Sequence, residues 1–257
     1  MKIAIVQNDI RSNDFSENLE HLETLIDQHP DADMFVLPET FATGFMPEGG
    51  VGGSDYTGYD ILQWMGTKGV LYDAAVVGSV ATKDDAGQLR NRLYFVRPDG
   101  KDEYYDKRHL FTFAGETKDY VPGNRRVVVE WGGVRFLLQV CYDLRFPVFS
   151  RSRGDYDAII YVANWPESRI GAWQTLLRAR AIENQCYVVG VNRVGDDHRC
   201  HYSGASAIIG PKGETLAECN NEGRTETAVA DVGLLQLQHF RERFRVLDDA
   251  DTCIIAT

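Results

Sequence analysis

The chain has 257 residues, of which 44% are apolar and 25% charged, with a net charge of −11 and a pI near 5.0. That length suits one large domain or two small ones, and the apolar share can fill a core without metal or disulfide staples. The acidic balance, with no Lys/Arg block, argues against nucleic acid as a partner, and the apolar run AIIYVANW is far too short to span a membrane.

In chain order, KIAIVQ reads as a first strand; it turns polar too soon for a secretory signal. SENLEHLETLIDQH places Leu19, Leu22, Leu25 and Ile26 on one helical face, and Pro30 ends that helix. DMFVLPE is a second buried strand with Glu39 at its C-terminal end. PEGGVGGSDYTG is a glycine-rich loop that matches no phosphate-binding fingerprint. Residues 60–71 look helical, and AAVVGSV is a strand. NRLYFVRPDGKDEYYDKRHLF and RVVVEWGGVRFLLQVC read as hairpins turning at Pro98-Asp99-Gly100 and Gly132-Gly133. YDAIIYVAN and CYVVGVNRV are buried strands, with helical spacing over 170–184 between them. SGASAIIGPKGETLAE is a third hairpin, TAVADV a last strand and LLQLQHFRERF a last helix. LDDADTCIIAT reads as an extended tail. Helices alternating with strands, with no linker and no repeat, indicate a single mixed α/β domain.

The five cysteines, Cys141, Cys186, Cys200, Cys219 and Cys253, are odd in number and form no CxxC pair, which points to free thiols in a reducing cytoplasm. Cys141 differs from the rest. It ends a strand in LQVCYDLRFP and is followed at once by Tyr142, Asp143 and Arg145. A free thiol with a pKa of about 8.5 is only a few per cent thiolate at neutral pH, so a nucleophilic cysteine needs a base or a cation beside it. Of the six histidines, His109 in YYDKRHLF is the serious candidate. His21, His29 and His239 lie on helices or at a helix end. His198, Cys200 and His201 in DDHRCHY are too cramped for zinc and lack a fourth ligand. Glu39 competes with His109 as the base. Lys107, which strand alternation puts on the same face as His109, can hold a developing oxyanion.

Glu39 in LPETFATGF, Lys107 in YYDKRHLF and Cys141 in LQVCYDLRFP together resemble the carbon–nitrogen hydrolase family, also called the nitrilase superfamily. Gly115-Glu116, YVANWP, RARAIENQCYVVGVNRVG and GASAIIGPKGE support the resemblance, which runs over nearly the whole chain in the expected order. It implies a four-layer α-β-β-α sandwich spanning residues 1–244. It also implies subunits paired as a homodimer, with the tail 245–257 packed on the partner.

The same resemblance implies the chemistry. Cys141 is the nucleophile and Glu39 the general acid–base; Lys107 and the Tyr142 backbone N–H hold the oxyanion, and Glu116 orients the site. No metal or organic cofactor is required. Tyr142-Asp143 after the cysteine, with YDKRHLF and VANWP, looks like the omega-amidase branch, which hydrolyses the terminal amide of short dicarboxylate monoamides such as 2-oxoglutaramate and succinamate. A guanidinium suits the substrate carboxylate. Arg145 is the candidate anchor, and Phe41, Phe45 and Trp165 are candidate pocket walls. Three other readings stand beside this one: an amidase or carbamoylase with a different acyl group, a non-catalytic binding relative, and a Cys-His hydrolase using His109.

Overall fold

The computed structural model describes residues 1–11, 15–44 and 58–253. Alternating apolar residues build two six-stranded sheets. The first has the order β14-β1-β2-β3-β4-β5, from β1 (Lys2–Gln7), β2 (Met34–Val36), β3 (Ala75–Lys83), β4 (Leu89–Val96), β5 (Asp102–Asp106) and β14 (Glu226–Asp231). The second has the order β13-β12-β9-β8-β7-β6, from β6 (Val128–Trp131), β7 (Val134–Val140), β8 (Ala158–Ala163), β9 (Tyr187–Asn192), β12 (Ala207–Ile209) and β13 (Thr215–Glu218). The central strands β1, β2 and β3 run parallel, as do β7, β8 and β9. A ribbon of β10 (Val194–Asp196) and β11 (His201–Ser203), not foreseen in the sequence, stands apart.

The strand period of two separates the layers. Ile3 and Ile5 of β1 face the second sheet, where they meet a core including Phe136, Leu138, Ile160 and Val189. Ala4 and Val6 point the other way, against Leu19, Leu22, Leu25 and Ile26 of α1 (Phe15–Ile26) and Ile61 and Met65 of α2 (Gly58–Tyr72). On the far side, Trp173, Leu177 and Ala181 of α4 (Ile170–Asn184) cover Leu137, Ile159, Tyr161 and Val188. The result is a single-domain α-β-β-α sandwich. A short α3 (Pro147–Ser150) follows β7, and α5 (Leu234–Arg243) follows β14.

The sequence reading needs two adjustments here. The tail begins as a 3-10 turn over Val246–Asp249 rather than as extended chain. Most of the glycine-rich loop, and Phe45 with it, lies outside the described residues.

What positions the site is strand polarity. β2, β5, β7 and β8 all finish at one edge of the sandwich. Cys141 follows the last residue of β7, Lys107 that of β5 and Asn164 that of β8, and Glu39 stands three residues beyond β2. Ligand sites of open α/β sheets fall at such carboxyl ends.

Candidate active site

Two local backbone devices aim the side chains. Cys141 has φ of 45° and Thr40, next to Glu39, has φ of 46°, both in the left-handed region that costs non-glycine residues roughly 1–3 kcal/mol. Each is held by a hydrogen bond nearby: the Thr40 N–H donates to Ser79 Oγ at 2.9 Å, and the Val140 N–H donates to Asp143 Oδ2 at 2.9 Å. Lys107 extends the β4–β5 ladder, its N–H donating to the Asn91 carbonyl at 2.9 Å.

The side chains converge on a buried ionic cluster. Lys107 Nζ donates to Glu39 Oε1 at 2.9 Å and to both oxygens of Glu116 at 3.0 Å. Asn91 Nδ2 donates to Glu39 Oε1 at 2.7 Å, the Asn164 N–H to Glu39 Oε2 at 2.8 Å, and the Phe111 N–H to Glu116 Oε2 at 2.5 Å. Glu39, Lys107 and Glu116 are at most 2% exposed. Glu116 is therefore no surface carboxylate, although its stretch FAGETKDY reads as loop; it opens a 3-10 turn, Glu116–Lys118, and is fully buried.

Burial would lower the Lys107 pKa, but the charges of Glu116 and Glu39 outweigh it and raise the ammonium well above its ordinary value. Glu116 is raised by burial and by Glu39, with Lys107 opposing. Burial, reinforced by Glu39 and opposed by Lys107, pushes the Cys141 thiol well up. The resting site thus pairs a permanent cation with a protonated thiol.

Above the cluster opens a cavity of about 290 Å³. Glu39, Lys107, Cys141 and Asn164 lie at its floor, and Tyr142, Trp165, Phe111, Phe113, Arg145 and Arg169 are among its walls. The Arg145 guanidinium lies over the Trp165 ring at 4.9 Å, and that of Arg169 over Phe111 at 5.4 Å. Among the described residues, neither guanidinium has a carboxylate partner.

Phe41 is a correction: it is fully buried in the core beneath α2, its ring 6.0 Å from that of Trp64, and does not line the cavity. His109 is also absent from the cavity lining. Its Nδ1 meets Asp143 Oδ1 at 2.7 Å and its ring stacks on Phe146 at 4.0 Å.

Sequence reasoning missed Asn91, Asn164, Phe111, Phe113 and Arg169. Asn164 left a usable signal: it is the first polar residue after the apolar run of β8, inside VANWP. Asn91 left none, because an asparagine on a hairpin strand is indistinguishable from an edge residue until the sheets are stacked.

Comparison with known proteins shows the family. The carbon–nitrogen hydrolase family matches residues 2–242. The chain belongs to that family and is an amidase of the omega-amidase type. It is 44% identical over 252 residues to the omega-amidase YafV of Escherichia coli K12, covering 98% of this chain and 97% of that protein. It is 33% identical to a 2-oxoglutaramate amidase of Bacillus subtilis, with 96% of each chain covered. A solved structure of XC1258 from Xanthomonas campestris, a CN-hydrolase superfamily protein with an arsenic adduct in its active site, superposes with a TM-score of 0.91 at 38% identity, over 100% of this chain and 99% of that one.

Proposed function

We propose that the protein releases ammonia from the terminal amide of a short dicarboxylate monoamide, of the 2-oxoglutaramate or succinamate type, through a thioester on Cys141. The observation that carries this reading is the hydrogen-bonded Glu39–Lys107–Glu116 cluster at the floor of a cavity that also holds Cys141.

Cys141 Sγ attacks the amide carbon while Glu39 takes the thiol proton, so a free thiolate need not accumulate. The carbonyl oxygen becomes an oxyanion held by Lys107 Nζ and the Tyr142 backbone N–H. Glu39 passes the proton to the nitrogen, the C–N bond breaks and ammonia leaves. Water then attacks the thioester, giving one proton to Glu39. The C–S bond breaks, the acid departs, and Glu39 returns the proton to the sulfur. Glu116 keeps Lys107 charged and aimed through its two bonds to Nζ. Asn91 and the Asn164 N–H hold the Glu39 carboxylate in place.

The substrate class follows from the walls. Arg145 and Arg169, with no carboxylate partner among the described residues, bring positive charge to a cavity in a protein of net charge −11, which supports a carboxylate on the substrate. A site of this size suits a short acyl chain. A different acyl group is the competing reading, supported by 34% identity to an (R)-stereoselective amidase of Pseudomonas. Ammonia release from 2-oxoglutaramate, succinamate, glutaramate, asparagine and N-carbamoyl amines decides between them. The expected result is the highest kcat/KM on an amide carrying a free carboxylate, with a Cys141 acyl adduct visible by mass spectrometry after rapid quench. Preference for an uncharged or carbamoyl compound removes the arginine anchor.

A further inference from the structure

The three reacting groups come from two different sheets. Glu39 and Lys107 follow strands of the first, whereas Cys141 follows β7 of the second. Between the sheets lies an apolar core. Apolar packing is non-directional and tolerates small shifts, while an oxyanion donor must sit within a few tenths of an ångström of its target. Something directional must register one sheet on the other at this edge.

For Glu39 that link is Asn164 at the end of β8. Its N–H donates to Glu39 Oε2, and its Nδ2 donates to Thr40 Oγ1 at 2.9 Å. Lys107 and Cys141 need a link of their own.

We infer that Asp143 is the positioning residue that registers Lys107 against Cys141. This rests on the reading of those two as the oxyanion donor and the nucleophile. Asp143 is fully buried and absent from the cavity lining. Its Oδ2 accepts from the Val140 N–H, immediately before Cys141, and from the Tyr105 hydroxyl at 2.8 Å. Its Oδ1 accepts from the His109 N–H at 3.0 Å and from His109 Nδ1–H at 2.7 Å. Tyr105 and His109 stand two residues before and two residues after Lys107. One carboxylate therefore clasps the chain on both sides of the lysine and ties it to the turn that carries the nucleophile. The Tyr105 hydroxyl closes the clasp by accepting the Arg108 N–H at 3.0 Å.

With four donors on it, the carboxylate is saturated and has no lone pair left for a substrate proton. Its role is geometric. It also accounts for His109, which serves the clasp rather than the thiol.

The test is Asp143→Asn, which keeps the shape but presents an NH2 group to donors. Per folded enzyme, kcat should fall about 100-fold, the cost of misplacing a reacting group by about 1 Å, with KM for the anionic amide within about threefold of wild type. Tyr105→Phe, which removes one bond of the clasp, should lower kcat about tenfold. The double variant should be no slower than Asp143→Asn alone, because both changes open the same link. If Asp143→Asn does not fold, Tyr105→Phe decides alone. Wild-type kcat per folded molecule, or losses that multiply in the double variant, overturns the inference. Cys141→Ala is the control. If it still releases ammonia, the nucleophile assignment falls and this inference with it; if it is dead while the Asp143 and Tyr105 variants run normally, only the inference falls.

Discussion

The floor and the rim of the cavity are built on opposite principles. At the floor, Glu39, Lys107 and Glu116 are essentially without solvent contact and are joined by bonds of 2.9–3.0 Å. At the rim, Phe113 is 88% exposed, and Arg145 rests on the face of Trp165 with no ion-pair partner among the described residues. Buried charges must be paired to be tolerated, and once paired they are fixed before substrate arrives. A free guanidinium at a solvent-facing edge keeps its hydration until a carboxylate displaces it. On the proposed function, the floor carries the reaction and the rim selects what enters. Substitutions at the floor should reduce kcat, and substitutions at the rim should raise KM.

The largest effect is expected for Lys107→Met. On the proposed mechanism it removes an oxyanion donor, a loss of about 100- to 1000-fold in kcat, and it leaves Glu39 and Glu116 buried without their cation. Glu116 then loses the charge that opposes its raised pKa, and Glu39 loses the ammonium that holds its Oε1. Kinetics should show activity at least about 1000-fold down, and thermal unfolding should show a loss of about 3–5 kcal/mol, the usual cost of breaking a buried ion pair from one side. Near-normal turnover would mean that the cluster is structural only.

Next comes Arg145→Leu, which acts at the rim. A charge-assisted bond to a carboxylate is worth about 1.5–3 kcal/mol, so KM for the anionic monoamide should rise roughly 10- to 100-fold. Steady-state kinetics should show kcat and the KM for an uncharged amide nearly unmoved. A fall in kcat on both substrates would place Arg145 with the floor and erase the distinction.

The same contrast explains what could be read without coordinates. Strand ends are local events, so the apolar runs that stop at Glu39 and Cys141 were visible in the sequence. So were the Gly132-Gly133 turn, with φ of 54° and 79°, and the helix over 170–184. Glu116 was legible as a motif position but not as a buried one, because its burial depends on Lys107 reaching it from β5. Phe41 misled for a related reason. The left-handed turn at Thr40 sends its ring away from the cavity, into space left by Gly78, where an added Cβ would lie 2.7 Å from the ring. The aromatic pattern around Glu39 carries no record of that reversal. Arg169 was hidden in an ordinary helix-start sequence, and only the stacking of its guanidinium over Phe111 reveals it as a wall.

The smallest of these effects is the most diagnostic of the floor. Burial first, and Glu39 second, raise the Cys141 thiol well above its ordinary value, while Lys107 pulls the other way without winning. A free thiol with pKa of about 8.5 gains thiolate roughly 20-fold between pH 7 and 9, and its alkylation by neutral iodoacetamide accelerates in step. At Cys141 the thiol is still mostly protonated at the upper end of that range, so its thiolate is scarce but grows by the full tenfold per pH unit, with no levelling off. Its alkylation, followed by peptide mass spectrometry to separate it from the other four cysteines, should be slow throughout and should rise about 100-fold over the same interval, about fivefold more steeply than the free thiol. Because iodoacetamide carries no charge for the rim to hold, Arg145→Leu should leave this profile in place. A Cys141 profile that levels off toward pH 9 as the free thiol does would mean that its surroundings do not hold the thiol up, and the division between a committed floor and a selective rim would fail at its centre.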